Sequence, residues 1–291
     1  MYIDKNIERK SKVLNDRIQF YGDTDIPLMS EVEISDSGTC NRKCSFCPRS
    51  DPDFKDVKEF ISKELHDKIF KELASYNYTG MVVYSGYVEP LLNKDIYRNV
   101  AFARKCLPNA KIEIITNGDV LNLERLKKLF KSGLSTLLIS VYDGPEDMVK
   151  FKKLVKEAKL LESQYVIRNR YMSAEDDFGL TISNRSGMLE NAEYKIPSMK
   201  ENCTYPAYKF FIDYNGDVQM CSHDWGKKYI VGNLKNNSVI DIWLNKKFDI
   251  ARKNLLNGNR NFLPCNKCDV SGELIGSLHA ENWKKRFNSQ K

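Results

Sequence analysis

Long apolar runs are missing from this 291-residue chain. No stretch approaches the roughly 20 apolar residues that a membrane-spanning helix needs. The first twelve residues are charged and lack the apolar core of a secretory signal peptide. We therefore expect a cytoplasmic protein that has no membrane partner.

Dense basic runs interleaved with aromatic residues are also missing, so the sequence does not favour nucleic acid as a partner. The net charge of +7 is spread along the chain. Such an excess of Lys and Arg indicates an ordinary basic surface. Alternatively, it indicates an acidic partner, such as a flavodoxin- or ferredoxin-type electron donor, or an anionic substrate.

Histidine is scarce, with three residues, whereas cysteine is frequent, with eight. The cytosol keeps thiols reduced, so eight cysteines in a chain of this kind indicate metal ligands rather than disulfides.

Short apolar runs alternate with amphipathic runs between residues 30 and 172. The predicted strands are 32–34, 81–84, 112–115, 137–139 and 165–172. Strands that alternate with helices at this spacing predict an α/β fold with a parallel sheet, here a partial (β/α) TIM-like barrel. In such barrels the sites lie at the carboxyl ends of the strands.

The pattern changes after about Cys203. Two apolar segments, 210–212 and 218–220, flank Asn215-Gly216, which is typical of a β-hairpin. One helix is predicted over 239–256. We therefore predict a barrel domain over residues 1–189 and a small C-terminal domain, a hairpin plus a helix, over residues 190–291.

The first cysteine motif, Cys40, Cys44 and Cys47, has the spacing Cys-x3-Cys-x2-Cys directly after a predicted strand. Three thiolates can hold three irons of a [4Fe-4S] cluster and leave the fourth iron open, whereas fully ligated clusters use four cysteines. A zinc site is the alternative, but it needs a fourth ligand from elsewhere in the chain.

This motif, with Phe46 before its last cysteine, resembles the signature of the radical S-adenosylmethionine (SAM) superfamily. The resemblance implies that the open iron binds SAM and that Phe46 lies against adenine. The segment Tyr84-Ser85-Gly86-Tyr87-Val88-Glu89-Pro90 resembles the Gly-rich motif of the superfamily, although Val88 stands where related chains usually have Gly. Ser85, Gly86 and Glu89 are thereby implied to bind SAM.

Two further polar residues, Asn117 and Ser140, follow or end later predicted strands. The resemblance implies that they hydrogen-bond SAM. Ordinary strand-to-helix turns are the alternative interpretation of both.

The remaining C-terminal cysteines are Cys203, Cys221, Cys265 and Cys268. Their spacing alone fits zinc and a fully ligated [4Fe-4S] cluster equally well. The region resembles the Twitch auxiliary-cluster domain, a shortened SPASM domain. That resemblance implies a second [4Fe-4S] cluster, so that two clusters and SAM are the expected cofactors.

Within this superfamily the chain resembles the radical SAM dehydrogenases of aminocyclitol antibiotic biosynthesis, which act on 2-deoxy-scyllo-inosamine. The segment 182–189 shares this resemblance and implies that Arg185 is a base or hydrogen-bond partner for the substrate hydroxyl. A surface or carboxylate-paired arginine is the alternative. The match weakens after Cys221, where His223 could contact the substrate, although a surface histidine is the simpler interpretation.

The implied reaction is hydrogen abstraction from a carbinol carbon of a sugar, amino sugar or cyclitol, followed by oxidation to a ketone with the auxiliary cluster as electron acceptor. One alternative is an epimerase, which needs a thiol that returns a hydrogen atom. Cys106 is the single spare thiol, and it lies at the end of a predicted helix, before a strand, on the barrel rim opposite the expected site. The others are a peptide maturase and a zinc-stabilised binding protein.

Overall fold

The structure, a computed structural model, describes residues 5–15, 18–173, 179–180, 182–189 and 201–290. The strands are β1 (Glu31–Ser35), β2 (Ser37–Gly38), β3 (Val57–Phe60), β4 (Met81–Tyr84), β5 (Lys111–Thr116), β6 (Thr136–Val141), β7 (Tyr165–Asn169), β8 (Lys209–Asp213), β9 (Asp217–Gln219) and β10 (Ile230–Asn233). The helices are α1 (Lys5–Asn15), α2 (Lys63–Ser75), α3 (Ile96–Cys106), α4 (Leu123–Lys131), α5 (Pro145–Glu157), α6 (Tyr205–Tyr208), α7 (Val239–Trp243), α8 (Lys246–Leu256) and α9 (Ser277–Ser289).

Eight strands form one sheet in the order β10-β9-β8-β1-β4-β5-β6-β7. Strands β1, β4, β5, β6 and β7 are parallel neighbours, joined by helices, which confirms the predicted α/β fold. The five predicted strands are all present, but the fifth ends at Asn169 and not at Met172, because the chain turns there. The predicted hairpin is also confirmed, as β8 and the antiparallel β9.

Strand β1 has one apolar face and one polar face. In β1, Val32 and Ile34 are fully buried in the main hydrophobic core, together with Ile69 and Phe70 of α2. Successive side chains of a strand point to opposite faces, so Glu31 and Glu33 face away from this core.

Buried charges pair on that polar face. Lys209 of β8 lies 3.0 Å from Glu31 Oε1 and pairs with Glu33, and Lys10 of α1 lies 3.1 Å from the same Glu31 oxygen. Burial by itself raises the pKa of Glu31, but Lys10 and Lys209 outweigh burial and bring it to about 2. The buried charges on this inner face of the sheet therefore neutralise one another, and Met81 and Val83 of β4 lie beside them in a small apolar cluster.

Local sequence signals begin and end several helices. Ser62 caps α2 by accepting a hydrogen bond from the Leu65 amide at 3.2 Å. Pro145 occupies the first turn of α5. Gly133, with φ of 98°, follows the end of α4 and adopts the left-handed conformation that glycine tolerates best.

The single helix predicted over 239–256 is wrong, because the segment contains two helices. Asn245 lies between α7 and α8 in an extended conformation. Its side-chain oxygen accepts a hydrogen bond from the Phe248 amide at 2.8 Å and begins a new helix there.

The C-terminal region joins the same sheet, because β8 pairs in parallel with β1. The boundary between residues 189 and 190 stays a prediction, since residues 190–200 lie outside the described part of the chain. No helix within the described residues is long and apolar enough to cross a membrane.

Candidate active site

The carboxyl ends of β1, β4, β5 and β6 border a cavity of about 250 Å³. All the residues predicted from the first motif, the later strand ends and the 182–189 segment line it. They are Cys40, Cys44, Cys47, Phe46, Ser85, Gly86, Glu89, Asn117, Ser140 and Arg185. The fold therefore brings together predicted site residues up to 145 positions apart, since Cys40 and Arg185 share this cavity.

The first thiol group consists of Cys40, Cys44 and Cys47, all half-buried. The Arg42 amide donates to Cys40 Sγ at 3.5 Å. Burial raises the pKa of all three thiols, that of Cys44 to about 11. Thiolates at this position consequently need a cationic partner, and iron ions supply one, so the three residues fit a cluster with one open iron.

Arg42 anchors the loop that carries these thiols. Its guanidinium donates to Asp119 at 2.7 and 2.5 Å and to Asp143 at 2.9 and 2.6 Å. Asn41 donates to Asp119 at 2.6 Å and accepts from the Asn117 side chain at 2.9 Å. The cysteine loop is thus tied to the segments that follow β5 and β6.

An aromatic pair lies beside the thiols. The rings of Phe46 and Tyr142 are 5.4 Å apart at their centroids with an interplanar angle of 34°. Both rings line the cavity. The predicted contact of Phe46 with adenine remains a prediction, to which the geometry adds Tyr142 as a neighbour.

The carboxylate of Glu89 accepts hydrogen bonds from neighbouring residues of the protein. Its oxygens accept from the Leu91 amide at 3.0 Å, the Thr116 hydroxyl at 2.7 Å and the Asn117 amide at 2.7 Å. The side chain is 1% exposed. Glu89 therefore orients the loop after β5 and leaves little capacity to bind SAM directly.

The hydroxyls of the two predicted serines also have protein partners. Ser85 donates to Glu33 Oε1 at 2.5 Å, and Ser140 accepts from Arg168 at 2.5 Å. Each serine lines the cavity and links it to the charged inner face of the sheet.

The second thiol group lies in a small enclosed cavity next to the first. Its four cysteines, Cys203, Cys221, Cys265 and Cys268, all line this cavity. The Cys221 sulfur accepts from the His223 amide at 3.3 Å, and the Cys268 sulfur accepts from the Val270 amide at 3.5 Å. Burial raises the pKa of all four thiols, and no carboxylate is among the described lining residues. Four thiols in an apolar enclosure fit a fully ligated cluster.

Arg185 lies in a tight turn in which Arg185, Ser186 and Gly187 have φ of 50°, 55° and 86°. Its Nε is buried and has no hydrogen-bond partner among the described residues. No described carboxylate pairs with it, so the carboxylate-paired interpretation has no support in the described part of the chain.

His223 lines both cavities, so the surface-histidine interpretation is wrong. Its Nε2 is 3.2 Å from the Tyr205 hydroxyl, while its buried Nδ1 has no partner among the described residues. Burial, with help from the cations Arg185 and Lys209, holds the pKa of His223 well below its ordinary value.

Sequence reasoning assigned no role to several cavity residues. Trp225 packs on Tyr87 with ring centroids 4.3 Å apart, and Tyr87 donates to Gln219 at 2.7 Å. Arg49 donates to the Tyr87 carbonyl at 2.8 Å. The only sequence signal for these residues is proximity to a cysteine, since Arg49 follows Cys47 and Trp225 follows Cys221.

The sequence matches two known families. The radical SAM superfamily matches residues 34–168, and the SPASM iron–sulfur cluster-binding domain matches residues 203–269. The chain is 30% identical over 236 residues to the S-adenosyl-L-methionine-dependent 2-deoxy-scyllo-inosamine dehydrogenase of Niallia circulans, covering 80% of this chain and 89% of that protein. It is also 30% identical over 130 residues to the GTP 3',8-cyclase of Aquifex aeolicus (strain VF5), covering 44% and 39%.

Solved structures show the same fold. The crystal structure of BtrN in complex with AdoMet and 2-DOIA aligns with a TM-score of 0.74 and 27% identity, covering 87% of this chain and 98% of that chain. Native anSMEcpe with bound AdoMet aligns with a TM-score of 0.55 and 14% identity, covering 89% and 96%, which is a likeness of fold alone.

Proposed function

Because the chain belongs to the radical SAM superfamily, we propose that it is a radical SAM dehydrogenase that oxidises a secondary alcohol of a sugar- or cyclitol-like substrate to a ketone. Cys40, Cys44 and Cys47 would hold the [4Fe-4S] cluster that binds SAM. The four C-terminal cysteines would hold an auxiliary [4Fe-4S] cluster. The 30% identity to a SAM-dependent dehydrogenase supports this assignment.

When bound, the first cluster and SAM supply a carbon-centred radical that accepts a hydrogen atom, and this chemistry belongs to the cofactor. The protein binds the alcohol, orients its carbinol C–H bond and excludes water. To become a ketone, the alcohol must lose one hydrogen atom, one proton and one electron. A closed four-thiol cluster suits the role of electron acceptor because its irons have no open position.

The position of Arg185 and His223 carries the proposal. Both residues line the first cavity, and His223 and Ser186 also line the second. A substrate hydroxyl bound by Arg185 and His223 would therefore lie between the two thiol groups. That is where an alcohol must lie to give its hydrogen atom to one site and its electron to the other.

The epimerase alternative needs a thiol that returns a hydrogen atom. Seven of the eight cysteines belong to the two groups, and Cys106 lies at the end of α3 and lines neither cavity. This position favours the dehydrogenase. No observation favours a peptide substrate, and a zinc-stabilised binding protein is set aside because the chain belongs to an enzyme superfamily.

We also propose a flavodoxin- or ferredoxin-type protein as the electron donor, since a chain with net charge +7 attracts an acidic partner. A cytoplasmic location accords with such a donor and with reduced cysteines.

The proposal is tested with anaerobically reconstituted protein. We expect about eight irons per chain, as two four-iron clusters require. Replacing Cys40, Cys44 and Cys47 together by Ala should halve the iron content and abolish SAM cleavage. Replacing the four C-terminal cysteines should also halve the iron but preserve SAM cleavage. Stoichiometric zinc without iron uptake would refute the assignment.

The reaction is tested with a substrate deuterated at the carbinol carbon. Deuterium should move into 5′-deoxyadenosine, with one 5′-deoxyadenosine per ketone. Arg185→Lys should slow ketone formation without changing cluster assembly, because Lys lacks the planar donor geometry of Arg. Solvent deuterium at an inverted, still hydroxylated carbon would establish the epimerase instead.

A further inference from the structure

The charged residues of the first cavity are unequally paired. Besides Cys40, Cys44 and Cys47, whose thiolates would be used by the cluster, five of the described lining residues carry charge. They are the carboxylates of Glu33 and Glu89 and the guanidinium groups of Arg42, Arg49 and Arg185. A charged side chain without a partner in the protein would favour a substrate that carries the opposite charge.

Both carboxylates are already engaged. Glu33 accepts from Ser85 at one oxygen and pairs with Lys209 at the other. Glu89 accepts three hydrogen bonds from its own chain. A substrate ammonium group would find no unengaged carboxylate among the described residues of this cavity.

Two of the three arginines are likewise neutralised. Arg42 binds Asp119 and Asp143, and Arg49 pairs with Asp56. Arg49 also donates to the carbonyl of Tyr87, which saturates much of its guanidinium.

Arg185 is the exception within the described part of the chain. Its side chain makes no ion pair or hydrogen bond there, and the buried Nε lacks a partner. Leaving a buried donor of a charged group unpaired is unfavourable, so a bound acceptor would stabilise this arrangement. The left-handed turn from Arg185 to Gly187 fixes the backbone that presents this side chain to the cavity.

The cavity wall beside His223 is aromatic. Trp225 packs on Tyr87 and also lies near Phe54, with ring centroids 6.2 Å apart. Such a wall suits the C–H face of a sugar or cyclitol ring, while polar groups at its edge fix orientation.

We propose that the substrate is an acidic polyol, a sugar or cyclitol that carries a carboxylate or phosphate next to the reacting hydroxyl. The guanidinium of Arg185 has five N–H donors, so it binds this anionic group and the hydroxyl together. The inference rests on the proposed dehydrogenase function and sharpens its substrate class. It separates this chain from the Niallia circulans relative, whose named substrate is an inosamine.

The experiment compares matched compounds on the reconstituted, SAM-loaded enzyme. The pairs are glucuronate with glucose and myo-inositol 1-phosphate with myo-inositol, and 2-deoxy-scyllo-inosamine is the cationic member. Equilibrium binding, substrate-dependent 5′-deoxyadenosine and ketone are measured for each. We expect at least one anion to bind tenfold or more tightly than its neutral counterpart, and the pair that responds identifies carboxylate or phosphate.

Variants of Arg185 assign the effect. Charge-assisted hydrogen bonds contribute about 1.5–3 kcal/mol, so Arg185→Gln should raise the KM of the anionic compound roughly 10–100-fold. Arg185→Lys should recover part of that loss. SAM affinity should fall by a clearly smaller factor than the affinity for the anionic compound. Arg286→Gln, which removes a half-buried arginine paired with Asp25 outside this cavity, is the matched control and should change none of these values.

Three results would overturn the inference. The first is that neither anion binds more tightly than its neutral counterpart. The second is tighter binding of the inosamine than of both anions. The third is a loss of SAM affinity in Arg185→Gln as large as the loss of affinity for the anionic compound, which would assign Arg185 to the SAM carboxylate. Ketone formation from a neutral or cationic compound would leave the dehydrogenase assignment intact, whereas inversion without ketone would contradict that assignment separately.

Discussion

Loosening the Arg42 anchor should weaken SAM binding without removing any thiol. Arg42 lies between Cys40 and Cys44 and donates in pairs to Asp119 and Asp143. In Arg42→Lys a single ammonium replaces the planar fork, so the charge is kept but the paired geometry is lost. The loop then spends less time in the conformation that presents its three thiols to one cavity.

The exposure of each carboxylate partner determines how much it contributes to the stability of the cysteine loop. The Arg42 and Asp119 side chains are 20% and 29% exposed, whereas Asp143 is 60% exposed. Exposed ion pairs contribute about 0–1 kcal/mol, so we assign most of the effect to Asp119. We expect a loss of about 1–2 kcal/mol in loop stability, because a bidentate charged pair exceeds a simple surface pair. Tenfold corresponds to about 1.4 kcal/mol, so SAM should bind roughly 5–30-fold more weakly.

The assay is SAM binding and 5′-deoxyadenosine formation on anaerobic protein with measured iron content. Asp119→Asn should reproduce most of the Arg42→Lys effect, while Asp143→Asn should change SAM affinity less than about threefold, as expected for an exposed pair. Iron content should stay near the wild-type value in all variants. Unchanged SAM affinity in Arg42→Lys, or equal effects of Asp119→Asn and Asp143→Asn, would show that the anchor does not act as reasoned.

Three further predictions concern residues away from the cavity. Cys106→Ala should keep the iron content and most turnover, because this half-buried thiol lines neither cavity. A variant that still cleaves SAM but forms no product would instead identify Cys106 as a hydrogen donor. Arg252, fully buried 4.0 Å from the Trp243 ring centroid, should tolerate Lys poorly, and thermal unfolding should show a loss of about 1–3 kcal/mol. Burial lowers the pKa of His279 to about 4, below the unfolded value of about 6.5, so its contribution is intact above pH 6.5 and is lost as pH falls toward 4. His279→Leu should flatten that decline in unfolding free energy, at up to about 1.4 kcal/mol per pH unit, and an unchanged slope would contradict the assignment.

Much of the site could be predicted because it follows chain-local patterns. The cysteine spacing from Cys40 to Cys47 is visible within eight residues. Asn117 and Ser140 follow or end apolar strands, and parallel topology brings the ends of such strands to one edge. The residues predicted from the cysteine spacing and from the strand ends do line one cavity, although their individual roles stay predictions.

The remaining features depend on pairings between distant segments. Arg42 meets Asp119 and Asp143, which are 77 and 101 residues away in sequence. A charged residue in a loop looks like any solvated charge until the fold supplies its partner. His223 was misread for a similar reason, because its burial comes from α6 and from the second thiol group. Single-sequence patterns carry no information about such tertiary partners.

The spacing between the two thiol groups is set by β1 and not by a linker. The loop to Cys40 leaves the carboxyl end of β1, and Cys221 follows the hairpin whose first strand, β8, pairs with β1 in register from Glu31–Lys209 to Ser35–Asp213. The Tyr87 hydroxyl donates to Gln219, two residues before Cys221, and so ties the loop after β4 to the same hairpin. Strand pairing of this kind does not slip by one residue without turning buried side chains to the wrong face. A substrate held between Arg185 and His223 would therefore meet both thiol groups at a separation that the sheet itself fixes, as transfer of a hydrogen atom to one side and an electron to the other requires.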